Sequence, residues 1–272
     1  MSSPGHAILS GASSGIGLAL ARRLAAKRWD LTILARDPAR LFEAEADLRA
    51  CGSSRVRTVS VDVTDREQVD REVALAITSL GPPRLVIAAA GMVATGRFAA
   101  LAPEAFRDCI EVNYFGSLHL VQAVLPSMRT QRGGQIVLIA SGAALLGLYG
   151  YTAYAPSKFA VRGLAEALRS EFAPEGIRVA VAFPPDTDTS SLREEIRQRP
   201  EVTSRIAGKA RVRSAEMVAD AILRAVARRR FGITPGWEMT GLLALHSLVG
   251  PLLQRFWFDR IIARFHRLNY FS

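Results

Sequence analysis

Short apolar runs of strand length alternate with longer amphipathic stretches along most of this chain, and this alternation constrains the fold more than any other feature. The runs carry too few polar residues for a sheet with one solvated face, so we expect helices on both sides of the strands. Six such βα alternations predict an α/β fold with a doubly wound parallel sheet, which binds ligands at the carboxyl ends of its strands. The six runs are residues 7–10, 31–35, 56–61, 85–90, 135–140 and 179–183.

The composition fits a globular protein and excludes several other classes. A chain of 272 residues that is 49% hydrophobic can bury a large core, so disorder is excluded as its main state. Two cysteines cannot form a disulfide scaffold, which favours a reducing compartment. The four histidines are scattered without metal-ligand spacing, so we predict no metal. The short polar start leads directly into the first apolar run, and we therefore expect no signal peptide and a cytoplasmic protein.

The end of the chain differs from the rest in charge and hydropathy. Residues 193–272 carry 15 basic and 7 acidic side chains, whereas residues 1–192 carry 20 and 18. Residues 239–254 contain no charged side chain, but this run falls short of the ~20 residues of a spanning helix. Aromatic residues and arginines follow it, a composition typical of helices that lie in a membrane interface. We predict peripheral association with a membrane surface, with a subunit interface or a lid over an apolar substrate tunnel as the alternatives. Without a recognisable motif, the basic charge does not indicate nucleic-acid binding.

A glycine-rich loop lies between the first predicted strand and the first predicted helix. Glycines let the backbone approach a phosphate closely, and the helix that follows offers free N–H groups and the positive end of its dipole. The spacing Gly-x-x-x-Gly-x-Gly in this position predicts a dinucleotide-binding loop, with a structural turn as the alternative. The residues expected to contact the pyrophosphate are Gly11, Ser13, Ser14, Gly15, Ile16 and Gly17.

Two arginines near the end of the second predicted strand indicate which dinucleotide binds. An acidic residue at this position would bind the ribose hydroxyls of NAD, whereas Arg36 suits a 2′-phosphate, with Arg40 as a second clamp. We therefore predict NADPH as the cofactor. Asp37 either serves NAD or caps the next helix ahead of Pro38. Asp62, at the end of the third strand, either binds the adenine amino group or is a turn carboxylate.

A tyrosine and a lysine four residues apart are the predicted centre of the chemistry. On a helix, Tyr154 and Lys158 share one face, and Lys158 is one of only three lysines in the chain. The ammonium is expected to lower the tyrosine pKa, making Tyr154 a proton donor to a carbonyl. Ser141, at the end of a strand, would bond the same carbonyl oxygen. Tyr149, Tyr151 and Tyr154 form a cluster, and the alternative is an aromatic cluster in the core.

These motifs together resemble the short-chain dehydrogenase/reductase family over at least residues 6–190. The resemblance implies a catalytic tetrad in which Asn113 holds a water, Ser141 orients the carbonyl, Tyr154 donates the proton and Lys158 binds the nicotinamide ribose. Two departures are Ala88-Ala-Ala-Gly91, where the family usually has Asn-Asn-Ala-Gly, and Pro184-Pro185, where Pro-Gly is usual. Further cofactor contacts implied by the resemblance come from Val63, Ala90, Gly91, Pro184, Thr187 and Thr189, the two threonines contacting the carboxamide and pyrophosphate.

Within this family the chain most resembles the 3-ketodihydrosphingosine reductases. The resemblance rests on the stretches at 91–98, 146–168 and 184–189. It implies NADPH-dependent reduction of a long-chain amino ketone, with another lipid ketone, such as a 3-oxoacyl thioester or a sterol, and a non-catalytic scaffold as the alternatives. It also implies a homo-oligomer, a dimer or tetramer. We predict one Rossmann catalytic domain over residues 1–236, with a substrate loop near 190–213, and a C-terminal extension over 237–272.

Overall fold

A parallel β-sheet lies at the centre of the molecule. The computed structural model describes residues 4–53, 55–207 and 212–269. The strands described are β1 (His6–Ser10), β2 (Asp30–Ala35), β3 (Val56–Ser60), β4 (Pro83–Ala88), β5 (Gly134–Ile139), β6 (Ile177–Ala182), β7 (Thr187–Asp188), β8 (Arg213–Ser214) and β9 (Gly232–Ile233). Within these residues, seven strands form one sheet in the order β3-β2-β1-β4-β5-β6-β9, and β7 pairs with β8 in a separate short ladder.

Helices cover both faces of the sheet. They are α1 (Gly15–Ala25), α2 (Pro38–Ala50), α3 (Arg66–Leu80), α4 (Pro103–Ile110), α5 (Gly116–Thr130), α6 (Tyr154–Phe172), α7 (Ser190–Gln198), α8 (Glu201–Ala207), α9 (Ala215–Ala227), α10 (Trp237–Leu253) and α11 (Asp259–Asn269). Helices α1, α2 and α9 contribute to the core on one face. Helices α3, α5 and α6 contribute to the core on the other. The predicted α/β fold with a doubly wound parallel sheet is confirmed.

The apolar strands follow from this layering. Successive side chains of a strand point to opposite faces, so Leu9 lies in one core cluster and Ile8 in the other. Both clusters exclude water, and the central strands are therefore apolar at nearly every position. Burial of both faces confines most polar side chains to the strand ends, such as His6 and Ser10 at the two ends of β1.

The order of the strands fixes where a ligand can bind. The chain reverses direction across the sheet between β1 and β4, which are neighbours although β2 and β3 separate them in sequence. The loops after these two strands diverge to opposite faces and leave a crevice. The glycine loop follows β1 on one side of that crevice, and residues 89–91 follow β4 on the other.

The second half of the chain contains elements that the alternation did not predict. Strand β9 pairs with β6 over only two residues, too few for an apolar run to be recognised. The polar stretch at 190–200 is largely helical, because Thr189 caps α7 by accepting a hydrogen bond from Leu192 N. Helix α9, which follows it, packs against α1 and belongs to the core.

The C-terminal extension is a long helical segment. A π-helical turn, Gln254–Phe258, connects α10 to α11. On α10, Met239, Leu242 and Leu243 pack against the domain, whereas Leu245, Leu248 and Leu252 are exposed on the opposite side. None of the helices in the described part of the chain is both long and apolar enough to cross a membrane.

Candidate active site

A cavity of about 390 Å³ opens at the crevice between β1 and β4. Every residue predicted to bind the cofactor lines it, from the glycine loop and the two arginines to Asp62, Val63, Ala90, Gly91, Tyr154, Lys158, Pro184, Thr187 and Thr189. Of the predicted catalytic residues, Ser141, Tyr154 and Lys158 line the same cavity, and Asn113 lies buried behind it. The structure thus brings these residues together, and their individual roles stay predictions.

The glycine loop fits a pyrophosphate. Helix α1 begins at Gly15, and Ser14 at its N-cap makes no side-chain hydrogen bond to the first turn. The N–H groups of that turn and the helix dipole therefore face the cavity without a protein acceptor among the described residues. A Cβ atom on Gly17 would lie 2.1 Å from Gly11 O, so only glycine permits this tight turn. The glycine loop and the first turn of α1 thus have the N–H donors and the space that a dinucleotide phosphate needs.

Two threonines close the cavity from the other side. A Cβ atom on Gly15 would lie 3.1 Å from Thr189 Cγ2, which puts Thr189 against the glycine loop. The Thr189 hydroxyl accepts a hydrogen bond from Leu192 N and keeps its own proton for a phosphate oxygen. Thr187 is buried and donates to Pro185 O at 2.8 Å, so its oxygen remains an acceptor for an amide. Both positions are compatible with the predicted contacts.

The residues that would select the adenosine end lie after β2 and β3. Asp37 caps α2 by accepting hydrogen bonds from Ala39 N and Arg40 N, as the capping interpretation predicted. The Arg36 side chain is 71% exposed and lies 4.0 Å from Asp62. Asp62 accepts hydrogen bonds from the N–H and hydroxyl of Thr64, which makes it a turn carboxylate that also lines the cavity.

Ser10 compensates in part for the first departure from the family pattern. The alanines at 88–90 supply no side-chain hydrogen bonds between β1 and β4. Instead, the Ser10 hydroxyl accepts from Ala90 N at 3.2 Å, and Ser10 O accepts from Ala89 N. Sequence reasoning missed Ser10, because the bond joins residues 80 positions apart.

Tyr154 and Lys158 lie on the first turns of α6, as predicted. The Lys158 Nζ atom is 5.7 Å from the centre of the Tyr154 ring and donates to Ile139 O at 3.1 Å. Burial raises the pKa of the Tyr154 phenol well above its ordinary value, and the hydrogen bond with the Ser141 hydroxyl opposes this shift only in part. The prediction that Lys158 lowers the tyrosine pKa is therefore wrong, because loss of solvation dominates and the nearby carboxylates of Glu195 and Asp186 add to it.

Lys158 is a buried lysine whose environment disfavours its charge. Burial lowers its pKa from 10.5 to about 8, and Cys109 opposes the shift only in part. A Cβ atom on Gly91 would lie 3.3 Å from Lys158 Nζ, so the lysine reaches the cavity beside a residue without a side chain. The ammonium is thus held close to the neutral phenol at a pH near physiological.

Asn113 organises the wall of the cavity. It lies in a π-helical turn, Glu111–Phe115, and such turns are frequent at functional sites. Its side chain accepts from Met92 N at 2.9 Å and donates to Met92 O and to the Ser157 hydroxyl. These bonds join α4–α5 to the loop after β4 and to α6. The predicted role of Asn113 in holding a water remains a prediction.

A second polar group on the cavity wall was missed. Glu195 on α7 accepts hydrogen bonds from the Tyr151 hydroxyl and from Arg199, and Arg199 also bonds Asp186 at 3.2 Å. Glu195 and Asp186 line the same cavity as Tyr154. The i, i+4 spacing of Glu195 and Arg199 was visible in the sequence, but their contact with Tyr151 spans 44 residues and was not.

Comparison with known proteins identifies the family of this chain. The family model for short chain dehydrogenases matches residues 5–200. The chain belongs to the short-chain dehydrogenase/reductase family. It is therefore an oxidoreductase that acts on a keto or hydroxyl group with a nicotinamide cofactor.

Relatives and solved structures agree with this assignment. The chain is 36% identical over 251 residues to a 3-dehydrosphinganine reductase of Danio rerio, covering 91% of this chain and 76% of the relative. It is 38% identical over 256 residues to one from Arabidopsis thaliana, covering 93% and 77%. A short chain dehydrogenase/reductase from Burkholderia phymatum in complex with NAD superposes with a TM-score of 0.79 at 27% identity, covering 90% of this chain and 92% of that one. The similarity to these sphingolipid-related ketoreductases covers more of the chain than the family model, which ends at residue 200.

Proposed function

We propose that this protein reduces the keto group of 3-ketodihydrosphingosine to a hydroxyl group with NADPH as the hydride donor. The observation that carries the proposal is the meeting of Tyr154, Lys158 and Ser141 in one cavity with the glycine loop. The names of the relatives, 3-dehydrosphinganine reductase and 3-ketodihydrosphingosine reductase, supply the substrate. When bound, the nicotinamide would deliver the hydride to the keto carbon, and a side chain of the protein would donate the proton to the keto oxygen.

Tyr154 is the proton donor in this proposal. Its raised pKa keeps the phenol protonated over the physiological range, so the acidic proton is in place before hydride transfer. As negative charge develops on the carbonyl oxygen, the phenol gives up its proton to that oxygen. The Lys158 ammonium, 5.7 Å from the ring centre, then stabilises the phenolate electrostatically.

Ser141 positions the carbonyl. Its Oγ accepts a hydrogen bond from Ala143 N at 3.1 Å, which fixes the oxygen and leaves the hydroxyl proton for Tyr154 or for a bound carbonyl. A carbonyl oxygen between this proton and the Tyr154 hydroxyl would accept from both. Such a pair of donors holds the substrate in one orientation and stabilises the charge that develops on reduction.

NADPH is the dinucleotide that the adenosine end of the cavity favours. Asp37 is the carboxylate that could bind the ribose hydroxyls. It instead caps the start of α2 and lies 3.3 Å from the Arg40 guanidinium. Arg36 and Arg40 both line the cavity and offer their guanidinium groups to a 2′-phosphate. NADPH would therefore bind more tightly than NADH.

The apolar surface next to the site suits a long alkyl chain. A groove formed by Leu148, Tyr151, Ala155, Pro156 and Phe159 lies beside the start of α6. Tyr151 joins the two places, because its ring lines the groove while its hydroxyl bonds Glu195 at the cavity. We propose that the alkyl chain of the substrate occupies this groove.

The C-terminal helices would bring the enzyme to the membrane that holds such a lipid. Leu245, Leu248, Leu252 and Phe256 follow one another at helical spacing and are all about half exposed or more. Arg255 lies beside the last residue of this apolar stripe, and Arg260 and Arg264 follow it. We propose that the stripe inserts among lipid headgroups while the arginines attract anionic lipids.

The proposal is tested by following NADPH oxidation at the nicotinamide absorbance with three ketones in turn. We expect 3-ketodihydrosphingosine to be reduced with a kcat/KM far above that of a 3-oxoacyl thioester or a keto sterol. A preference for either of those two would assign the protein to another lipid ketone. Tight NADPH binding without turnover of any ketone would indicate a scaffold and contradict the proposal.

A further inference from the structure

Four polar side chains form a largely buried network at the edge of the active-site cavity. Arg199 is 6% exposed and Glu195 12%, and the guanidinium of Arg199 bridges Glu195 and Asp186. The Tyr151 hydroxyl donates to the same oxygen of Glu195 that Arg199 contacts. The network connects α7 to the segment that precedes α6 and to the loop after β6.

The network is incomplete when only protein atoms are counted. Both contacts of the Glu195 carboxylate fall on Oε1, and both contacts of the Asp186 carboxylate fall on Oδ2. No donor among the described residues reaches Glu195 Oε2 or Asp186 Oδ1, and Arg199 Nε is buried without a partner. Glu195 and Asp186 both line the cavity. Oxygen atoms with unused acceptor capacity are therefore present at the site.

The charges of the network do not cancel. Two carboxylates face one guanidinium, and Tyr151 is neutral because burial and the nearby Glu195 raise the pKa of its phenol. Although burial opposes the charge of Arg199, its contact with Glu195 raises the guanidinium pKa, so the cation is retained. One negative charge is left over, and a buried charge is stabilised when a cation joins it.

We propose that Glu195, supported by Asp186, binds the ammonium group of an amino ketone substrate and so selects it over ketones that lack the amine. This inference rests on the proposed function and adds the residue that recognises the amine. The amine of 3-ketodihydrosphingosine lies on the carbon next to the keto carbon, so it must lie close to the proton donor when the ketone is bound.

The position of the network matches that requirement. The rings of Tyr151 and Tyr154 are 5.9 Å apart, and the Glu195 carboxylate that bonds Tyr151 is near enough to influence the Tyr154 phenol electrostatically. Lys158, the other charged side chain beside Tyr154, would repel an ammonium. The substrate amine would therefore point away from Lys158 and towards Glu195. This orientation of the amine would determine which face of the ketone receives the hydride.

The test compares two ketones and two variants. The substrates are 3-ketodihydrosphingosine and the matched hydroxy ketone of equal chain length without the amine. We expect the wild type to prefer the amino ketone about 10- to 100-fold in kcat/KM, the size of one charge-assisted hydrogen bond. Glu195→Gln keeps an acceptor for Tyr151 and Arg199 and should abolish most of that preference, with less than about a threefold loss for the amine-free ketone.

Glu194→Gln is the control, because Glu194 lies next to Glu195 on α7 but bonds Gln198 and Arg197 outside the cavity. It should leave the preference unchanged. Equal losses for both ketones in Glu195→Gln would show a merely structural role and overturn the inference. Equal kcat/KM values for the two ketones in the wild type would overturn it even if the variant does not fold. Wild-type inactivity towards both would overturn the proposed function and this inference with it.

Discussion

The Nζ atom of Lys158 lies 5.7 Å from the centre of the Tyr154 ring, one helical turn away on α6. The phenol is kept protonated by burial, and the ammonium is held beside it at a cost in stability. This pairing suits a proton donor that must become an anion briefly and then recover its proton. The first two predictions address its two members.

Replacing Tyr154 with Phe removes the proton donor and leaves the ring. We expect ketone reduction to fall by about 10²- to 10⁴-fold, the usual contribution of general acid catalysis. NADPH binding, followed by fluorescence titration, should change little. Tyr149→Phe is the matched control from the same tyrosine cluster and should retain activity. Undiminished turnover by Tyr154→Phe would refute the proton-donor assignment.

Replacing Lys158 with Met should abolish turnover and stabilise the fold at neutral pH. Since the lysine pKa falls from 10.5 to about 8 on folding, the unfolded chain binds more protons between these values. The free energy of unfolding of the wild type therefore rises with pH across that window. The variant should exceed the wild type by up to about 3 kcal/mol below pH 8, with the gap narrowing towards pH 10.

Urea unfolding of both proteins at pH 7 and pH 9.5 measures this difference. A difference in free energy of unfolding that does not change with pH would show that folding does not lower the pKa of Lys158. A less stable variant at pH 7 would show that the hydrogen bond to Ile139 O outweighs the burial of the charge.

Replacing Arg36 with Ala should remove most of the preference for NADPH. A guanidinium on a phosphate contributes about 1.5–3 kcal/mol, so the ratio of NADPH to NADH affinity should fall about 10- to 100-fold. Arg71→Ala, which removes an exposed arginine on α3, is the control. An unchanged ratio in Arg36→Ala would show that Arg36 does not bind the 2′-phosphate. Arg40 would then be the next residue to test.

The apolar stripe on α10 should bind anionic vesicles. We expect Leu248→Ser combined with Leu252→Ser to weaken vesicle cosedimentation about tenfold or more, because two leucines no longer enter the lipid. Phe42→Ser removes an equally exposed apolar residue, 77% exposed on α2, and should have no effect. Equal recovery of the wild type in the supernatant with and without vesicles would contradict the proposal.

The sequence carried enough information for the sheet and for the cavity that it forms. Local patterns predicted the six longer strands and the glycine loop, because hydrophobic periodicity and glycine spacing report directly on strands and tight turns. The i, i+4 pair on α6 was predicted for the same reason, since helical spacing alone brings Tyr154 and Lys158 to one face.

What the sequence did not reveal depends on contacts between distant segments. The Tyr151–Glu195 bond joins residues 44 positions apart, and no local pattern predicts it. The direction of the Tyr154 pKa shift depends on desolvation, which is a property of the packed cavity rather than of residue spacing. Strand β9 is only two residues long and is ordered by its neighbour β6.

The transfer of a label tests the central claim most directly. Wild-type protein is incubated with 3-ketodihydrosphingosine and NADPH that carries deuterium at the transferable position of the nicotinamide, and the product is analysed by mass spectrometry. We predict dihydrosphingosine with one deuterium on the carbon that bears the new hydroxyl group, and almost none from the Tyr154→Phe variant. Unlabelled product, or no product from the wild type while NADPH remains bound, would contradict the account.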